Sequence, residues 1–187
     1  MYIIGITGTI GAGKGTIVDY LVSKMSFLHY SVRGYLTEEI ARRGMPLNRD
    51  SMVTVANDLR EKNNPAFIVE QLYHQAFKAG KNAIVESIRT PGEIDMLKSL
   101  KNFYLIAVDA DPKIRFERIK MRKSETDNIN FETFLENEKR EMFTDDPNKQ
   151  NLSKCIAQAD FILSNNGTVE DLYKKTDEIL QKIYLTK

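Results

Sequence analysis

Cysteine is almost missing from this 187-residue chain. Cys155 is the single one, so no internal disulfide can form, and that scarcity fits a reducing compartment. Long apolar runs are missing as well. No stretch approaches the length of a membrane span, and the apolar residues near the N-terminus are too few for a signal-peptide core, so the chain reads as soluble and cytoplasmic, with no membrane partner. Neither sign of charge dominates. Lys and Arg number 27 against 26 Asp and Glu, a net charge of +1, which argues against a nucleic-acid binder that works through a basic surface. No internal repeat, low-complexity tract or metal-ligand cluster is found, and the length suits one α/β domain with a buried core.

What is present begins at the N-terminus. The apolar run Tyr2-Ile3-Ile4-Gly5-Ile6 leads into Gly8-Thr9-Ile10-Gly11-Ala12-Gly13-Lys14-Gly15-Thr16, and an apolar stripe at Ile17, Leu21 and Val22 follows at helical spacing. This is strand, glycine loop, helix. Glycines there let backbone N–H groups approach phosphate oxygens, and the helix N-terminus favours their negative charge. Lys14 is expected to reach the β- and γ-phosphates of a bound nucleotide. The general pattern has Ser or Thr directly after the Lys, whereas here Gly15 intervenes and Thr16 supplies the hydroxyl.

Residues 27–31 read as a second strand, which places Ser31, Arg33 and Tyr35 beyond its carboxyl end, where ligands of parallel sheets gather. A short helix from Leu36 stops at Gly44, Asn48 or Asp50 caps the next one through Arg60, and Asn63-Asn64-Pro65 breaks the chain before a third at 66–78. A single crossover needs only one helix, so the extra two predict a substrate-binding arm over about residues 31–80. Arg42 and Arg43 are expected on a solvated face; Arg33 and Arg60 are candidates for substrate phosphate contacts.

A third strand, Asn82-Ala83-Ile84-Val85-Glu86, ends in an acid that should fall beside the glycine loop. Such a carboxylate can hold water of a Mg²⁺ shell, since Mg²⁺ binds few carboxylates besides phosphate oxygens. Arg89 follows as the candidate clamp on the acceptor, with pairing to Glu93 or Glu86 as the structural alternative, and Thr90-Pro91-Gly92-Glu93 has helix-start chemistry. Residues 103–108 form a fourth strand, Asp111-Pro112 starts a helix, and Arg118 and Arg122 share one of its faces. A polar stretch from Lys123 and a charged helix to Phe143 predict a small lid over about residues 123–140, which would keep water from the phosphoryl group. A fifth strand ends at Ser164, and Asn165-Asn166-Gly167-Thr168 turns into an amphipathic last helix.

These motifs together resemble the nucleoside-monophosphate kinase branch of P-loop proteins. Glu86-Ser87-Ile88-Arg89 resembles the Asp-Gly-Phe-Pro-Arg segment of adenylate kinases, one residue shorter and with Glu for Asp. Thr126-Asp127-Asn128 resembles their lid motif. A closer resemblance is to archaeal adenylate kinase-related proteins and to kinase-like domains attached to deoxycytidylate deaminases, through Asp111-Pro112 to Arg118 and the Ala159 to Thr168 ending. The tail is also similar to dephospho-CoA kinase. The resemblance implies a three-layer α/β/α P-loop fold with a five-stranded parallel sheet in the order 2-3-1-4-5, an NMP-binding arm and a lid, the core being residues 1–30, 81–122 and 141–187.

It further implies transfer of the γ-phosphoryl of ATP to a nucleoside or deoxynucleoside monophosphate, with Mg²⁺ accompanying ATP. Gly8, Gly11, Ala12, Gly13, Lys14, Gly15 and Thr16, together with Asn166, Gly167 and Thr168, would hold ATP, and Thr16 and Glu86 would lie near the metal. Ser31, Arg33, Arg60 and Arg89 would hold the acceptor. Lys14, Arg89, Arg118, Arg122 and Arg140 would neutralise charge in the transfer. A kinase for another small molecule, such as dephospho-CoA, and a nucleotide-binding regulator without turnover are the alternatives. A monomer or weak dimer, with a functional link to a nucleotide deaminase, completes the expectation.

Overall fold

The computed structural model describes residues 1–122, 129–146 and 148–185. Its central strand, β1 (Ile3–Gly8), is buried along its whole length. Side chains alternate across a strand, so Ile4 and Ile6 share one face. They pack there with Ile17, Val18 and Leu21 of α1 (Lys14–Met25) and Leu172, Leu180 and Ile183 of α9 (Val169–Leu185). Ile3 belongs to the opposite face, in a second cluster with Val85, Ile88 and Leu105. A Cβ on Gly5 would stand 2.6 Å from the Phe103 ring, so only glycine lets that face close. Burial on both faces is why the strand reads as an unbroken apolar run.

Around β1 the sheet is all parallel, in the order β2 (Leu28–Ser31), β3 (Ala83–Glu86), β1, β4 (Phe103–Asp109), β5 (Phe161–Ser164). This is the order the resemblance implies. The register sets Ile6 beside Glu86 and Gly8 beside Val108, so the acid that ends β3 and the start of the glycine loop share one end of the sheet. The chain runs from β1 toward β2 and β3 on one side and to β4 and β5 on the other. The crevice beyond the carboxyl end of β1 is therefore the topological switch point, where parallel sheets bind ligands.

Three helices lie between β2 and β3: α2 (Val32–Arg42), α3 (Arg49–Lys62) and α4 (Phe67–Ala79). The first starts four residues earlier than the sequence predicts. Its cap is Ser31, whose side chain accepts the Gly34 N–H at 3.2 Å, and Val32 and Gly34 are poor helix formers that hide the start. Asn48 caps α3 by accepting the Ser51 N–H, as expected. Arg43 is exposed, as expected, and there it pairs with Glu39 of its own helix and, at 2.7 Å, with Asp58 of α3, tying the two helices together. Thr90 and Glu93 form a full capping box at α5 (Pro91–Lys98). The remaining helices are α6 (Pro112–Arg122), α7 (Phe131–Met142) and α8 (Leu152–Ala157). The expected lid motif Thr126-Asp127-Asn128 lies outside the described residues. No helix among the described residues is long and apolar enough to cross a membrane.

Candidate active site

The glycine loop is held in a shape that only glycine tolerates. Gly8, Gly11 and Gly13 have φ of +133°, +77° and +98°. A Cβ on Gly8 would fall 1.9 Å from the Val108 carbonyl oxygen. Gly13 is the N-cap of α1, where no side chain caps and no acid stands in the first turn, so the helix presents unsatisfied N–H groups to an incoming anion. Lys14 Nζ donates to the carbonyl oxygens of Gly8 at 2.9 Å and Thr9 at 2.7 Å, folded over the loop it serves. Burial, with the nearby Arg89 charge adding to it, pushes the Lys14 pKa down to about 8, against the opposing pull of Glu86 and Glu141. Gly15 and Thr16 continue into the first turn of α1.

Behind the loop the late segment is bolted to it. The Asn165 side chain donates to the Ala12 carbonyl at 2.8 Å, its backbone N–H donates to the Asp109 carbonyl, and its own carbonyl accepts from Arg118 at 3.0 Å. Asn166 accepts the Asp111 N–H at 2.8 Å, and Thr168 exchanges hydrogen bonds with Asp171 at the start of α9, while Gly167 is crowded by that same Asp171. The sequence singles out Asn166, Gly167 and Thr168, which are exposed; the buried link is Asn165.

A cleft of about 230 Å³ opens between the glycine loop and helices α2 and α3. Lys14, Arg33, Arg60, Glu86, Arg89 and Arg122, six of the residues singled out from the sequence, line it. Glu86 lies 3.3 Å from His29 Nε2; burial pushes its carboxyl up, but His29, Lys14 and Ser87 more than offset this and hold it below the usual range. Arg60 is buried and donates to Glu93 at 2.7 Å. Arg89 pairs with neither of the two expected acids through its side chain; its Nη1 donates to Glu141 at 2.6 Å and to Gln150 at 2.8 Å, while its backbone N–H donates to Glu93. Ser31 is spent on capping α2, Arg118 is turned to the Asn165 carbonyl, and Arg140 is exposed on α7; none of these three lines the cleft.

Three residues escaped the sequence reading of the site. Arg49 and Glu141, 92 positions apart, pair across the cleft, and nothing local marks either one. Arg115 is 3% exposed and ties the loop to α7: it donates to the carbonyl oxygens of Ala110 and Ile10, pairs with Glu138 at 2.7 Å and stands over the Phe134 ring. The helical pattern around Arg115 was visible, but its link to the glycine loop joins it to Ile10, 105 residues away.

The geometry has counterparts. The family model described as "AAA domain" matches residues 4–144. A UPF0200 protein of Methanocaldococcus jannaschii is 34% identical over 98% of this chain and 91% of its own length. Among solved structures, TT1252 from Thermus thermophilus superposes with a TM-score of 0.64 at 19% identity, over 97% of each chain. Shikimate kinase from Bacteroides thetaiotaomicron gives 0.60 at 14% identity, over 96% of this chain and 98% of its own. Those two show the fold alone, a parallel sheet with helices packed around it. By the extent of the model match and by a likeness that spans 98% of it, the chain belongs to the AAA-domain family and to the UPF0200 proteins.

Proposed function

We propose that the protein is a phosphotransferase that moves the γ-phosphoryl of ATP to a small acceptor already carrying a phosphate, a nucleoside or deoxynucleoside monophosphate. The observation that carries this reading is the charge of the cleft. Arg33, Arg49, Arg60, Arg89 and Arg122 line it beside Lys14, and the carboxylates among its described lining residues are Glu86 and Glu141. Burial pushes both carboxyls up, but the cations and hydrogen-bond donors around them more than offset it and hold them ionised, which makes them weak bases. A hydroxyl acceptor needs a base to take its proton; a phosphate acceptor is anionic at neutral pH and needs positioning and charge neutralisation instead.

In this reading Lys14 and the loop N–H groups hold the donor phosphates, and the segment Asn166 to Thr168 lies toward the nucleotide base. Thr16 and Glu86 offer hard oxygen donors suited to Mg²⁺, which when bound shields phosphate charge. Arg33, Arg60 and Arg89 hold the acceptor between the core and the arm of about residues 31–80. Arg122 neutralises charge as transfer proceeds, with Arg118 and Arg140 approaching when the lid of about residues 123–140 closes. The apolar wall of Val32, Leu36, Met52 and Val53 suits the face of a base.

The deciding experiment follows ADP formation from Mg-ATP with each nucleoside and deoxynucleoside monophosphate, with dephospho-CoA and a no-acceptor control alongside and Lys14→Ala as the blank. Stimulation by one monophosphate is the expected result. Turnover that ignores every monophosphate, or an equal rate in Lys14→Ala, would sink the proposal.

A further inference from the structure

Glu141 has no part in the mechanism above, yet it lines the cleft. It lies on α7, is 8% exposed, and divides its two oxygens between arginines from different parts of the chain. Oε1 accepts from Arg49, at the first position of α3, and Oε2 accepts from Arg89, in the loop after β3. Gln150 shares the Arg89 Nη1 donor, and all four residues line the cleft that Lys14 enters. Two guanidinium groups converging on one carboxylate present the same forked donors that hold a phosphate. In the same cleft wall, the Arg60 Nε has no hydrogen-bond partner among the described residues although its side chain is 2% exposed. A buried guanidinium N–H left over in this way is a ready donor to a further anion oxygen.

We propose that Arg49 and Arg89 form the binding site for the acceptor's phosphate, and that the Glu141 carboxylate fills that site in the free protein and is displaced when the acceptor enters. The anion's identity rests on the phosphotransfer reading; the exchange itself does not. Without Glu141, Glu86 would be the carboxylate left among the described cleft residues to face Lys14 and the two arginines. With it, one of the two guanidinium charges is offset until a dianion arrives. A neutral nucleoside cannot outcompete a carboxylate held by two guanidinium groups, so the plug selects phosphorylated acceptors. It also links entry to movement. Arg115 anchors α7 to the glycine loop through Glu138, whereas Glu141 anchors it to the acceptor cleft, and phosphate entry releases the second anchor alone.

The test is calorimetric titration of inorganic phosphate into the wild-type protein, Glu141→Gln, Glu141→Asp and the double variant Arg49→Ala/Glu141→Gln. Removing the competing carboxylate should tighten phosphate binding about tenfold in Glu141→Gln. Glu141→Asp, too short to reach both arginines, should show part of that gain and serves if the Gln variant folds poorly. The gain should vanish in the double variant, since the glycine loop's own affinity for phosphate does not depend on Arg49. Phosphate binding in both Glu141 variants that is unchanged or weaker would overturn the exchange. Tighter binding in Glu141→Gln without acceptor-stimulated turnover in the wild type would establish the exchange and instead remove the monophosphate kinase reading.

Discussion

Lys14 shows how a single side chain carries the electrostatics of the site. Its pKa falls from 10.5 to about 8 because burial and the Arg89 charge both disfavour the ammonium. Phosphate oxygens favour the ammonium, so the bound pKa lies higher, and binding takes up a proton in the window between the two values. Affinity for pyrophosphate should therefore fall as pH rises above about 8, by up to tenfold per unit. Calorimetry at about pH 8.5 in two buffers of different ionisation enthalpy should report the proton uptake, and Lys14→Arg, permanently charged, should bind with a flat profile. A flat wild-type profile would contradict the lowered pKa. The same shift works against folding below that window: the unfolded chain holds more protons between about pH 8 and 10.5, so stability rises with pH there. Cys155 is the opposite kind of residue, a buried core thiol that burial, with Glu93 adding to it, pushes up to about 12.

Among the elements, the strand-loop-helix unit separates its glycines by what each must avoid. Gly8→Ala forces a Cβ into the Val108 carbonyl at positive φ, and should cost about 3 kcal/mol. Gly15 lies in α1, where an added Cβ would meet nothing within 4 Å, so Gly15→Ala should raise stability by about 0.5 kcal/mol. Urea unfolding of the pair distinguishes them, and equal losses would mean the loop is not what constrains Gly8. The start of α5 carries a second test. Glu93 is fully buried, closes the capping box with Thr90, accepts the Arg89 N–H and holds Arg60. Glu93→Ala leaves Arg60 without its ion-pair partner in the core and should destabilise by about 3–5 kcal/mol, readable in the urea midpoint. A loss below about 1 kcal/mol would show that solvent reaches Arg60.

Across the molecule as a whole, the sheet brings the glycine loop, the arm and α7 to one end, so two substrates bound together would touch all three. An adenosine joined to a nucleoside through five phosphates should therefore raise the melting temperature more than ATP at equal concentration. A ligand at 100 times its Kd stabilises by about 2.7 kcal/mol, so a tighter bisubstrate ligand gives a larger shift. A shift equal to that of ATP would mean the arm does not take part in binding. Much of this architecture was legible in the sequence, because its marks are local. The glycine loop between a β-branched strand and an apolar helix, Asn48 ahead of α3, and Thr90-Pro91-Gly92-Glu93 ahead of α5 each carry their chemistry within a few residues. The start of α2 was not, since its cap, Ser31, is itself the last residue of a strand and a Gly interrupts the first turn.

Periodicity and turn chemistry act over a few residues, so the order of residues was enough to specify the phosphate loop, the five strands and most of the caps that punctuate the helices. Which charges meet in the cleft was settled by packing. Arg118 and Arg122 share a helical face, yet one reaches back to Asn165 while the other lines the cleft. Arg140 and Glu141 are neighbours in the chain, yet one is exposed and the other lies between Arg49 and Arg89. Helical spacing assigns a side chain to a face; what that face meets depends here on elements packed from 47 to 92 residues away, and no local pattern encodes it.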